Sequence, residues 1–330
     1  MLLPTERLSR ALANDTLHLI VLPTEACNFR CFYCYEDFRL ARMDERVQRG
    51  LKRWIEQRAP TLSQLTISWF GGEPLLALDV VEDVLDHVAS LRQRHPRLQF
   101  HSDMTTNAWQ LTRDVFERLR ARGVRLYQIS FDGPQEVHDR RRVRADGAGT
   151  FERIWANVTR LRELPGDFEV RLRVHVDREN RGDIPRFLDQ CRAEFGTDAR
   201  FKLFLRPLSR LGGPNDARID VLGLDGESAL VEARAEARLR GLALFEEDGE
   251  KPVCYAAEGN SFVVRADGRL SKCTVALAHP ANDIGRLHED GRVEIDAAKT
   301  ARWTRGLFSG KGLELLCPMV GLADVPHAAV

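Results

Sequence analysis

The sequence predicts an α/β protein in which parallel strands alternate with helices, followed by a smaller α+β region built on hairpins. Three observations carry that prediction. Six β-rich runs, LHLIVLP, LTISWF, LQFHSDMTT, VRLYQISF, FEVRLRVHV and RFKLFL, are separated by amphipathic stretches. In one of these stretches Val80, Val81, Val84, Leu85, Val88 and Leu91 recur on a single face at the helical period. Past residue 208 the alternation stops, and two Asp-Gly turns, Asp267-Gly268 and Asp290-Gly291, each sit between short β-rich runs.

Taken in order, residues 1–16 read as an N-terminal extension, and residues 17–208 hold the six strand–helix units. Helices are expected over 44–58, 79–92, 112–122, 150–164 and 184–194. Strands that alternate with helices run parallel, with the helices outside, in a barrel or an open wound sheet, and such folds place chemistry at the carboxyl ends of the strands. Residues 209–250 read as a turn-rich linker, Ser209 to Asp216, and a bridging helix over 227–244. Residues 251–330 form the hairpin region, with a last helix near 297–307.

At 330 residues and 43% hydrophobic content, the chain can bury one large domain and a smaller one. Lys plus Arg and Asp plus Glu are both 49, so no global charge bias points to nucleic acid or an acidic membrane. The start, MLLPTERLSR, lacks a signal-peptide core, and no later stretch approaches a membrane span. Neither a nucleic-acid nor a membrane partner is expected, and the expected location is cytoplasmic.

The chemistry concentrates in Cys27-Asn-Phe-Arg-Cys31-Phe-Tyr-Cys34, directly after the first strand. Three thiols at this spacing can hold three corners of a four-iron, four-sulfur (4Fe–4S) cluster and leave the fourth iron open to a small molecule. Structural zinc would need a fourth nearby Cys or His, and none follows within the usual few residues. Inert buried thiols are a second reading, although the crowding of three between Phe29, Phe32, Tyr33 and Tyr35 argues against chance. A disulfide would leave an odd thiol and require an oxidising compartment. At the end of the second strand, Gly71-Gly72-Glu73-Pro74 offers a backbone that a ligand can approach closely and a carboxylate that can bind an ammonium group.

Together these two motifs resemble the radical S-adenosylmethionine (SAM) enzymes, whose signature is CxxxCxφC with an aromatic φ, here Tyr33. The resemblance covers nearly the whole chain. It continues at Thr105-Thr106-Asn107 and at Ser130-Phe131-Asp132-Gly133-Pro134, followed by His138-Asp139 and Arg142, in the manner of members with a C-terminal SPASM or twitch domain. It implies a partial (β/α)6 barrel, a 4Fe–4S cluster on Cys27, Cys31 and Cys34, and SAM chelating the open iron. One electron then breaks the sulfonium bond to methionine and a 5′-deoxyadenosyl radical, which takes a hydrogen atom from the substrate.

The resemblance also implies roles. Glu73 and the Gly72 backbone would hold the methionine ammonium, with Tyr33 beside the adenine. Ser130 and Arg142 would contact ribose and carboxylate, and Leu203 would close the adenine pocket. An arginine suits a carboxylate because its planar fork binds that group bidentately, although Arg142 also reads as part of a solvated basic run. Asn107 and Asp132 are further cofactor-binding candidates, for which a strand-end cap is the plain alternative.

A second set, Cys254, Cys273 and Cys317, resembles the opening of a SPASM or twitch domain and implies one auxiliary 4Fe–4S cluster, its fourth iron open or capped by a group such as His279, Asp283 or His288. Cys191 reads as a packed thiol. The members so resembled mainly modify peptides and proteins. The leading expectation is a maturase that cross-links side chains of a ribosomally made precursor peptide, through a C–C or similar bond. It would draw on an electron donor such as flavodoxin or ferredoxin, and recognise any leader through a separate protein or its own surfaces. In sulfatase-maturing members an Asp directly follows the cysteine of the GxxxxC motif; here that position is Thr274, which disfavours that reaction. Other readings are a small-molecule dehydrogenase or rearrangement catalyst, a redox or iron-sensing module, and a zinc-binding structural protein.

Overall fold

The computed structural model describes residues 5–196, 198–223, 226–245 and 253–322. Its strands are Thr16–Val21 (β1), Phe29–Cys31 (β2), Gln64–Trp69 (β3), Gln99–Thr106 (β4), Val124–Phe131 (β5), Arg142–Arg144 (β6), Glu169–Val176 (β7), Phe201–Pro207 (β8), Ser261–Val264 (β9), Arg269–Ser271 (β10), Gly285–Leu287 (β11) and Val293–Ile295 (β12). Six of them, β1-β3-β4-β5-β7-β8, lie side by side in chain order, each parallel to the next, as the six β-rich runs predict. This is the curved parallel sheet of an α/β fold, with helices on its outer face.

Period-two alternation sets the two faces. On β5 the residues Tyr127, Ile129 and Phe131 are fully buried against helices, while Leu126, Gln128 and Ser130 line the inner face. On β7 the buried outer residues Val170, Leu172 and Val174 alternate with Arg171, Arg173 and His175 inside. Helix Leu78–Arg94 buries the stripe Val80, Val81, Val84, Leu85, Val88 and Leu91. Asp44 and Thr112 cap the helices Glu45–Arg58 and Arg113–Ala121 by accepting from Val47 N and Val115 N.

Both hairpins form as expected, β9 with β10 and β11 with β12, with Gly268 and Gly291 at positive φ in the turns. One arrangement is absent from the sequence reading. β9 pairs in parallel with β1, so the hairpin region continues the barrel sheet, and all ten strands other than β2 and β6 form one sheet. The bridging helix is also shorter than expected. It spans Gly226–Leu239, and Gly241, at φ +71°, turns the chain so that Ala243 and Phe245 hydrogen-bond to both sides of Leu203 at the edge of β8.

Candidate active site

The loop after β1 carries the first three cysteines, and its position is fixed from several sides. β2 pairs antiparallel with β6, which sets Cys31 directly opposite Arg142. Gly72 lies so close to this loop that a Cβ there would meet the carbonyls of Glu25 and Ala26, and Gly71 at φ +113° abuts Thr24. Asn107 reaches in from the end of β4, where Nδ2 donates to Asn28 Oδ1 at 2.8 Å and lies 3.9 Å from Cys27 Sγ. Burial raises the thiol pKa of all three cysteines, that of Cys34 to about 12. For Cys27 the charges of Glu73, Cys31 and Cys34 raise it further. Among the described residues no three Cys, His, Asp or Glu side chains already stand at a spacing that would hold a metal ion. Three soft donors from one short loop beside a glycine cradle suit an iron–sulfur cluster with one open corner.

A chain of polar contacts joins this loop to the strand ends. Arg142 Nη1 donates to the Tyr33 hydroxyl at 2.6 Å, and Tyr33 donates to Asp132 Oδ1 at 2.9 Å. His175 Nδ1 lies 3.3 Å from the same oxygen, and its ring stands edge-on to Tyr33 with centroids 4.9 Å apart. Burial alone would raise the Asp132 carboxyl, but the hydrogen bond and charge of His175 and the charges of Arg142 and Arg141 hold it far below the ordinary range. Burial lowers His175 to about 4, so the imidazole is neutral and Nδ1–H is its donor to the carboxylate. Tyr33 therefore ties the cysteine loop to β5 and β7.

The His138-Asp139 pair acts through Arg142. Thr150 Oγ1 donates to the Arg142 carbonyl at 2.5 Å, so His138 Nε2–H must be the donor to that hydroxyl at 3.0 Å. Asp139 Oδ1 accepts from Thr150 N and Phe151 N at the start of helix Phe151–Leu161. These bonds hold the backbone from which Arg142 projects.

The expected site residues do not all face the same space. Gly72, Asn107, Tyr33 and Arg142 gather at the cysteine loop, and Ser130 lies on the inner face of β5. Glu73 has no exposed surface: Oε1 accepts from Thr106 Oγ1 at 2.7 Å and Leu75 N at 3.0 Å, and Oε2 from Asn107 N at 2.6 Å. Its carboxylate thus braces the ends of β3 and β4, an arrangement different from the expected open ammonium grip. Leu203 requires a correction. It points outward into the apolar core beneath the helices, and the strand's alternation gives the inner position to Phe204.

Several contributing residues escaped the sequence reading. His175 could have been found from the alternation in EVRLRVHV. Gly213 and Asn215 sit in the segment read as a plain linker, yet Asn215 Nδ2 donates to the Phe32 carbonyl at 2.9 Å, and a Cβ on Gly213 would strike the Cys34 carbonyl. The linker lies across the cysteine loop.

In the second set, burial and the charges of Cys273 and Cys317 raise the Cys254 thiol to about 12. Asn282 wraps the Cys273 loop, accepting from Lys272 N and Cys273 N and donating to the carbonyls of Cys273 and Ala276. Met319 Sδ lies 3.6 Å from Cys273 Sγ. Thr274 shares a hydrogen bond of 2.8 Å with the Tyr255 hydroxyl. Of the suggested capping groups, His279 accepts from Ala281 N, the Asp283 carbonyl accepts from Lys299, and His288 pairs with Glu294 in the β11–β12 hairpin. A cavity of about 930 Å³ opens beside Tyr35 and Glu36, which follow the cysteine loop, and is lined also by Glu25, Arg265, His279 and Met319; none of the six cysteines lines it. Burial and the charge of Glu25 raise Glu36 to about 8, and its Oε2 has no partner. No helix among the described residues is long and apolar enough to cross a membrane.

Comparison with known proteins gives this geometry a context. The chain is 26% identical over 211 residues to a cysteine-type anaerobic sulfatase-maturating enzyme of Clostridium novyi, covering 61% of this chain and 54% of that one. It is 28% identical over 189 residues to an AdoMet-dependent heme synthase of Methanosarcina barkeri, covering 57% and 50%. It thus spans about half the length of these curated relatives. Among solved structures, native anSMEcpe with bound AdoMet and Kp18Cys peptide superposes with a TM-score of 0.66 at 17% identity, over 91% of this chain and 84% of that one. Streptococcus suis SuiB bound to precursor peptide SuiA superposes with a TM-score of 0.60 at 15% identity, over 87% and 65%. These two share the fold. Residues 21–191, more than half of the chain, match the model of the Radical SAM superfamily, and the chain belongs to that superfamily.

Proposed function

We propose that this enzyme uses SAM to abstract a hydrogen atom from a ribosomally synthesised peptide and so forms a cross-link between side chains. The observation that carries the reading is the cavity of about 930 Å³ that opens beside Tyr35 and Glu36, directly after the cysteine loop, and has room for a segment of peptide. The relatives support it by their names and contents: one is a sulfatase-maturating enzyme, and anSMEcpe and SuiB were both crystallised with peptides. When bound at Cys27, Cys31 and Cys34, a 4Fe–4S cluster with SAM supplies one electron and, from it, a 5′-deoxyadenosyl radical.

The chain's own residues orient and enclose. Arg142, opposite Cys31, would receive the SAM carboxylate, and Ser130 and Asn107 would contact its polar groups. Phe204 offers the apolar face that adenine requires. Cys254, Cys273 and Cys317 would hold an auxiliary 4Fe–4S cluster, which would take up the electron released when the substrate radical closes the new bond and loses its second hydrogen as a proton. An electron carrier such as flavodoxin or ferredoxin and, for a leader, a separate binding protein complete the proposed set of partners.

Oxidation of a sulfatase residue is the second reading, favoured by the names of the relatives. Thr274 weighs against it, because a hydroxyl has no basicity near neutral pH with which to accept a proton. The test is to incubate reconstituted, reduced protein with SAM and the short peptides encoded beside its gene. The expected outcome is 5′-deoxyadenosine together with a peptide lighter by two hydrogens. 5′-Deoxyadenosine with unchanged peptide masses would refute the cross-linking assignment, and no 5′-deoxyadenosine would refute SAM cleavage itself.

A further inference from the structure

We propose that Arg173 is a substrate-binding residue that receives a carboxylate of the peptide, an acidic side chain or a free C-terminus, inside the barrel. The inference rests on the reading that a peptide enters the space above the SAM site. Arg173 lies on β7, level with Ser130 on β5 and Phe204 on β8, and two residues before His175, which shares its inner face. Its guanidinium makes no hydrogen bond or ion pair with any described residue, and its Nε is sealed from solvent. The residue is half-buried; burial pushes its pKa down, the charge of Arg206 on the neighbouring strand pushes it further, and no carboxylate offsets them.

Nearby carboxylates are committed elsewhere. Asp132 serves Tyr33, His175 and Arg141. Glu73 serves Thr106, Leu75 and Asn107. Glu169 pairs with Arg171 and Lys202. A guanidinium left in this state is balanced when a carboxylate or similar anion arrives, because the planar fork binds it through two parallel hydrogen bonds. SAM brings one carboxylate of its own. Arg142 is paired in register with Cys31, so it is the cation proposed to receive that carboxylate. Arg173, on β7, is near enough to feel Tyr33, Tyr35 and the charge of Arg142, and it is left for a second carboxylate.

The test uses the reconstituted, SAM-loaded protein and a displayed pool of random dodecapeptides. Captured sequences are expected to be enriched in Asp, Glu or a free C-terminus. The enrichment is expected to fall at least about tenfold with Arg173→Gln, to persist with Arg173→Lys, and to turn toward Lys and Arg with Arg173→Glu. SAM affinity without peptide is expected to change less than about threefold in Arg173→Gln. A SAM affinity that falls tenfold or more would mean that Arg173 holds the SAM carboxylate, and would overturn the proposal. So would a wild-type pool without acidic enrichment, a result independent of how the variants fold. 5′-Deoxyadenosine formation is followed in parallel: its presence with no acidic preference refutes this inference alone, and its absence refutes the underlying enzyme reading.

Discussion

The site depends on buried polar residues that hydrogen-bond to one another, and their energetics are testable one side chain at a time. Tyr33 accepts from Arg142 and donates to Asp132, so its hydroxyl is the single atom between a cation and an anion. Tyr33→Phe keeps the ring against His175 and leaves two charged groups short of a partner, which should cost about 2 kcal/mol. Urea denaturation of the iron-free protein measures this, and a change below about 0.5 kcal/mol would contradict the network. His138 gives a prediction in pH. It is fully buried, and burial followed by the charge of Arg142 lowers it to about 3 from 6.5. The unfolded chain therefore binds a proton at this site between pH 6.5 and 3 that the folded chain refuses, and the stability contributed by neutral His138 is lost as the pH falls through that window. The stability difference between wild type and His138→Asn should shrink by about 3 kcal/mol from pH 6.5 to 4, at about 1.4 kcal/mol per unit. A difference that stays constant over this range would show that His138 titrates normally. Neither role was legible in the sequence. His138-Asp139 matched a motif, but that it acts by holding Thr150 against the Arg142 carbonyl depends on a helix start twelve residues away in the chain.

At the scale of elements, the sequence was most informative where period and chemistry coincide. The six strands and the helix faces follow from the alternation of apolar residues, and the two Asp-Gly turns fixed both hairpins. The cysteine spacing named the loop after β1 as the chemical centre. What it could not show was contact between elements distant in sequence: the pairing of β2 with β6, the linker laid over Phe32 and Cys34, and the outward turn of Leu203. The last of these followed from a one-residue choice of face, which in a strand buried on both sides is not marked by polarity, since Leu203, Phe204 and Leu205 are all buried. The junction of β3 with the cysteine loop carries a prediction of its own. Because a Cβ at Gly72 would meet the Glu25 and Ala26 carbonyls, Gly72→Ala must push that loop outward, at an overpacking cost of about 1–3 kcal/mol. Iron and sulfide per chain after reconstitution are expected to fall, while far-ultraviolet circular dichroism stays unchanged. Full iron content in this variant would show that the loop does not need the close approach.

The molecule as a whole is joined by one sheet, and this has thermodynamic consequences. β9 covers the open edge of β1, and Ile20, Leu22 and Val263 form an apolar cluster across that seam. A second tie crosses it nearby: Arg265 binds Glu25 through two hydrogen bonds, at 2.6 and 3.0 Å, with both side chains buried, and also donates to the Leu277 carbonyl. If the barrel and the hairpin region were independent, they would unfold in separate steps. With a shared sheet, the iron-free chain should unfold in one transition, the same by intrinsic fluorescence as by far-ultraviolet circular dichroism. Arg265→Met removes one partner of the buried pair and leaves Glu25 uncompensated, so it should lower the stability of the entire chain by about 3–5 kcal/mol without splitting the transition. A chain ended at residue 245 would expose the β1 edge together with Ile20 and Leu22, an unpaired apolar strand of the kind that aggregates. That fragment should be recovered insoluble. A soluble, cooperatively folding fragment, or two resolved transitions in the full chain, would show that the barrel is complete without the hairpins, and that the ten-stranded sheet joins two units of separate stability.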